Sequence, residues 1–123
     1  KINQNNMSTE DLMIGDWYWW EAEGKKYPLQ VTKDTFKLSD EDISNFQPIP
    51  LTNEILEKNG FEKLNNKIRL SLECDDFYFS YYSTNHMTVY NKNTGTLVHK
   101  VINYVHELQH AIVFCEIDKE IKL

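Results

Sequence analysis

The sequence predicts an α+β fold: a bent antiparallel sheet, built from an N-terminal hairpin and a central meander, with two main helices, the longer one near the C-terminus. Three observations carry this expectation. Runs of strand-prone residues, such as Trp17-Tyr18-Trp19-Trp20 and Phe77-Tyr78-Phe79, are separated by short turn sequences. Helix-start signals follow Thr52 and Asn103, with Gly60 placed to stop the first of these helices. Gly (4) and Pro (3) are too scarce for a linker or a low-complexity tract, so residues 10–123 read as a single domain behind a disordered segment, residues 1–9.

The elements follow in order. Residues Asp16 to Glu21 form a strand, Glu23-Gly24-Lys25 a turn, and Tyr27 to Thr32 the return strand. Pro28 has no amide to donate, which places the return strand at a sheet edge. Ser39 caps a short helix through Asp40-Glu41-Asp42, and Pro48 and Pro50 stop it. Thr52 caps a second helix over Asn53–Lys58. Gly60 suits the left-handed position after it, with Phe61 folding back over Ile55 or Leu56. The meander then runs from Phe61 to Ile102, with turns at Asn65-Asn66, Asp75-Asp76 and Asn93-Thr94-Gly95. Asn103 caps the last helix, which reaches about Cys115, and Ile121 and Leu123 alternate as a final short strand.

Composition narrows the function classes. At 123 residues the chain is long enough to bury a core without a disulfide or metal staple. The formal charge is −6, and Lys25-Lys26 is the only adjacent basic pair, so nucleic acid is not an expected partner. No apolar run approaches the ~20 residues that cross a bilayer, and no membrane role is expected. The first twenty residues lack the apolar core of a signal peptide, and Cys74 and Cys115 form no C-x-x-C pair; both point to the cytoplasm. Neither cysteine has a local base, so both read as buried thiols.

One string carries catalytic chemistry. His106-Glu107-Leu108-Gln109-His110 matches H-E-x-x-H, in which two His one helical turn apart hold zinc and the Glu is the general base. On a helix, Tyr104, Val105, Leu108, Ala111, Ile112 and Cys115 gather on one side, and His106 and His110 fall near the other, exposed. A catalytic zinc needs a third protein ligand. The candidates downstream are Glu116, Asp118 and Glu120, with Glu116 standing where the extended metzincin pattern has His. His86 or His99 would have to fold back. The plainer reading is a pair of surface histidines on an amphipathic helix.

Three separated motifs are Leu12-Met13-Ile14-Gly15-Asp16-Trp17, then Pro48-Ile49-Pro50-Leu51-Thr52 with Leu56 and Gly60-Phe61, then Tyr104-Val105-His106-Glu107-Leu108-Gln109. Their order, from Leu12 to about Phe114, is similar to that of a family of short uncharacterised proteins of gut bacteria, their phages and integrated mobile elements. In that family the last motif commonly has Gln in place of the Glu and Asn in place of the second His. The resemblance implies that Glu107 and His110 are local variations and that the zinc pattern is an accident. It implies a genomic setting and no chemistry.

The aromatic strands give the other candidate. Trp17-Tyr18-Trp19-Trp20 and Phe77-Tyr78-Phe79 with Tyr81-Tyr82 place rings on both faces of their strands, and Trp and Tyr are enriched where proteins bind one another. The expected binding surface comprises Trp17, Trp19, Trp20, Tyr78 and Tyr82. The leading expectation is therefore a non-enzymatic accessory protein of a phage or mobile element, without cofactor, acting on an unidentified protein partner. The alternative is a minimal zinc hydrolase with His106, His110 and Glu116 as ligands and Glu107 as base. Homo-oligomerisation through an edge strand is a third possibility.

Overall fold

Twelve short elements succeed one another in the computed structural model, which describes residues 12–63, 69–82 and 86–123. The expected disordered segment, residues 1–9, and the turn at Asn65-Asn66 lie outside the described residues, as do the side chains of Tyr82, His86 and residues 98–100. The fold is α+β. The hairpin and the meander, read from sequence as parts of one bent sheet, form two separate antiparallel sheets, of three and five strands. The chain divides into two compact units, Lys1–Ile49 and Pro50–Leu123.

In the first unit, β1 (Trp17–Ala22) pairs with β2 (Lys25–Gln30) through a two-residue turn. Glu23 (φ 52°) and Gly24 (φ 75°) both take left-handed backbone there, the geometry that matches the twist of a tight hairpin. β2 lies at the edge, as Pro28 predicts. A short 3-10 helix (Lys33–Lys37) and the short α1 (Asp40–Ile43), capped by the Ser39 hydroxyl, return the chain to the sheet. Beyond α1 the sequence signals only a stop at Pro48. Residues Phe46–Pro48 instead form β3, which pairs with the free side of β1. This strand is legible only from its partner: its three residues carry no alternation of their own. Leu12, Tyr18, Val31, Ile43 and Phe46 make the core of this unit.

The second unit is a meander in the order β4 (Glu62–Lys63), β5 (Arg69–Cys74), β6 (Phe77–Tyr82), β7 (His86–Asn91), β8 (Leu97–Ile102), each paired antiparallel with the next. Register places Leu70 opposite Tyr81 and Leu72 opposite Phe79, so Leu70, Phe79, Tyr81, Met87 and Val89 share one buried face. α2 (Asn53–Lys58) and α3 (Val105–Phe114) supply Leu56, Val105, Leu108, Ala111 and Ile112 to the same core. α2 starts where expected, with the Thr52 hydroxyl accepting from Ile55 N–H at 3.2 Å. It ends as expected too: Gly60 (φ 96°) donates to Glu57 O, and Phe61 to Leu56 O, the paired bonds of a Schellman stop.

Two expectations change here. Residues 117–123 form no strand. They pass the end of α2, tied by the Asn59 amide, which donates to Lys122 O and accepts from Lys122 N–H, both at 2.7 Å. Lys58 Nζ also reaches Leu123 O. Asn103 is not the cap of the last helix; Tyr104 holds that position, and the side chain that satisfies the helix start comes from within α3.

Candidate functional site

That side chain is Glu107. Standing three residues into α3, it turns back so that Oε1 accepts from Asn103 N–H at 2.9 Å and from Tyr104 N–H at 3.1 Å. The first amides of a helix have no partner along the helix, and a Glu three residues in is the residue type that reaches them. The carboxylate that a zinc hydrolase would use as base is thus held by backbone at the start of its own helix.

The histidines sit on the neighbouring turn. Contrary to the expected exposure, both His106 and His110 are partly buried. The Tyr104 ring stacks on His106 at 5.9 Å between centroids with planes 13° apart, and His106 meets His110 edge-on at 5.6 Å. This is a ladder of three rings along the helix flank. Glu116, the expected third ligand, serves elsewhere: it is the left-handed residue (φ 57°) that closes α3, donating its N–H to Val113 O while Ile117 N–H reaches Ile112 O. His110 and Glu116 are six residues apart, about 9 Å along a helix axis. Among the described residues no group of three or more His, Cys, Asp or Glu is arranged to hold a metal ion.

The aromatic candidates divide. On β1, side chains alternate: Tyr18 and Trp20 point to the core, where Trp20 meets Phe46 edge-on at 5.2 Å, and Trp17 and Trp19 occupy the opposite face. There Trp19 lies between Pro28 of β2 and Gln47 of β3, and Trp17 stands opposite Gln30. Trp17 and Trp19 keep part of their surface exposed. Glu21 continues the same face and accepts from Gln47 Nε2 at 3.0 Å. Trp20 is therefore a core-packing residue rather than a member of the outer face. Tyr78, on β6, is partly buried and engaged within the sheet: its hydroxyl accepts from Arg69 Nη2 at 2.8 Å, and the guanidinium lies 5.9 Å from its ring centre. Tyr82 has its side chain outside the described residues.

Sequence reasoning missed other exposed apolar residues. Ile14 and Phe36 in the first unit, and Tyr90, Leu97, Val101, Val113 and Phe114 in the second, are exposed. An exposed apolar position has no signature of its own; only the register and the helix phase reveal it.

The remaining chemistry is quiet. Burial pushes the Cys74 and Cys115 thiols up from their ordinary value, which keeps them protonated and poor nucleophiles. A depression of about 300 Å³ is lined by Gly60, Glu62, Ser71, Leu72, Glu73 and Tyr78. Lys92 Nζ holds Glu73 at 3.2 Å at its rim. Among the described residues that line it, no nucleophile is hydrogen-bonded to a base. No described helix is long and apolar enough to cross a membrane.

Comparison with protein-family models, curated proteins and solved structures returned no match to this chain. The class that fold and site define is an α+β domain with a partly exposed pair of tryptophans on its N-terminal sheet.

Proposed function

We propose that this chain is a non-catalytic binding module, an accessory protein of a phage or mobile element, that acts through protein contacts made by the Trp17/Trp19 face of its three-stranded sheet. The observation that carries the reading is the placement of these rings opposite the core, where Tyr18, Trp20 and Phe46 already fill the interior. Two large rings held on a rigid strand offer contact area with little side-chain freedom left to lose, the property that enriches Trp at binding hot spots. Gln30, Gln47 and Glu21 border them with polar groups, as in a contact surface with an apolar centre and a polar rim.

The hydrolase reading has less behind it. It requires Glu107 to leave two backbone amides and a third ligand to be supplied to His106 and His110. The test is affinity capture from the cells that make the protein, run in parallel with wild type, Trp19→Ala and Tyr90→Ala. A partner retained by wild type and Tyr90→Ala but lost with Trp19→Ala supports the assignment. Retention by all three rejects it.

A further inference from the structure

We infer that a second copy of this chain docks on the outer edge of β8, extending the five-stranded sheet across a two-fold axis. The inference goes beyond the Trp17/Trp19 face and uses a different surface.

The first observation is an open edge. β8 is six residues long and ends the sheet order. Its inner side pairs with β7, and among the described residues no backbone hydrogen bond reaches its outer side. A long, unpaired edge strand is a template for another strand. Proteins blunt such edges with charge or proline; the sequence Leu97-Val98-His99-Lys100-Val101-Ile102 carries a single charge, Lys100, and neither Pro nor carboxylate.

The second observation is self-complementarity. Ile102 pairs with Met87 on the buried face, and Leu97 pairs with Tyr90 on the other. Two register shifts lie between these pairs, and their combined effect leaves Leu97 and Val101 both outward, 54% and 49% exposed. Positions 97 and 101 are symmetric about residue 99. An antiparallel copy with its axis at residue 99 sets Leu97 opposite the second copy's Val101, and Val101 opposite its Leu97. That is the isologous pattern a two-fold interface requires.

The third observation is charge. The chain carries 19 Asp and Glu residues, yet none falls between Phe77 and His106; Lys92 and Lys100 are the only formal charges in that stretch. Two copies of an acidic protein repel over most of their surfaces, and β6, β7 and β8 form the part where that repulsion is absent. In the register above, Lys100 falls opposite Val98 rather than opposite its own equivalent.

One strand pair buries less than a standard interface, so the dimer is expected to be weak, with Kd roughly 10–100 µM. Sedimentation equilibrium from low to several hundred micromolar tests it. The expected result is a monomer–dimer equilibrium that Leu97→Lys and Val101→Lys each weaken at least tenfold, whereas Phe114→Lys on α3 leaves it unchanged. Thermal melts establish that each variant is folded. Amide exchange of wild type supplies a readout without mutation: protection at residues 97–102 rises with protein concentration. A monomer at all concentrations overturns the inference. So does a dimer that Phe114→Lys breaks and Val101→Lys does not, or unchanged protection of β8 in the dimer.

Discussion

Asn59 and Lys122, 63 residues apart, are joined as two strand neighbours would be: the amide of Asn59 donates to the Lys122 carbonyl and accepts its N–H, both at 2.7 Å. The same Nδ2 also reaches Ile55 O, so one buried side chain (6% exposed) closes α2 and fastens the C-terminal segment. Removing it leaves three part-buried backbone groups without these partners. Asn59→Ala is expected to cost about 2–3 kcal/mol, measured by urea unfolding. Amide exchange in residues 117–123 should rise well before the sheet opens.

Glu107 is predicted to behave as a capping residue. Glu107→Ala should lower stability by about 1 kcal/mol, and Glu107→Gln, which still offers an acceptor oxygen, should retain most of it. A residue acting only as a base would leave stability unchanged in both variants.

The same geometry predicts weak metal binding. With Glu107 occupied and Glu116 at the far end of α3, His106 and His110 offer two ligands. Calorimetry should find zinc affinity weaker than micromolar, about −8 kcal/mol. Sub-micromolar binding abolished by His110→Ala would restore the hydrolase reading.

Glu116 closes α3 in left-handed backbone, where Gly60 performs the equivalent task for α2. A side chain there is strained against its own carbonyl. Glu116→Gly should therefore stabilise the fold by roughly 0.5–1 kcal/mol, with Glu116→Asn intermediate. A loss of stability in thermal unfolding would contradict this.

Burial raises the Tyr81 phenol above its ordinary 10.0 and the Cys115 thiol above its ordinary 9.0. In the unfolded chain these groups release their protons first, so their contribution is complete below the unfolded values and is lost as pH rises through the folded ones. Urea midpoints should hold to about pH 8 and fall above about pH 9. Tyr81→Phe forfeits the hydroxyl's bond to Leu51 O but should flatten that alkaline fall.

Local chemistry was the legible part of the sequence. The α2 stop at Gly60-Phe61, the edge position of Pro28 and the meander turns at Asp75-Asp76 and Asn93-Thr94-Gly95 each follow from a residue's own backbone preference, and each stands in the structure. What failed depended on distant partners. β3 exists because β1 had a free side, and the C-terminal segment is held by Asn59 rather than by a strand. The site shows the same division. H-E-x-x-H and a Glu that caps its own helix share letters at the same spacing, and only the direction of the Glu107 carboxylate separates them. Alternation separates Trp17 and Trp19 from Trp20, a division the expected binding surface did not make, and which face met the core depended on Phe46, a residue of the unforeseen strand.

The binding role of the Trp17/Trp19 face is tested most directly by placing a photo-crosslinking phenylalanine analogue at position 19, and separately at position 114, in the cells that make the protein. The account predicts a discrete protein adduct from position 19 and none from the exposed α3 position, where Phe114 now stands. An adduct from position 114 alone, or from neither, would contradict it.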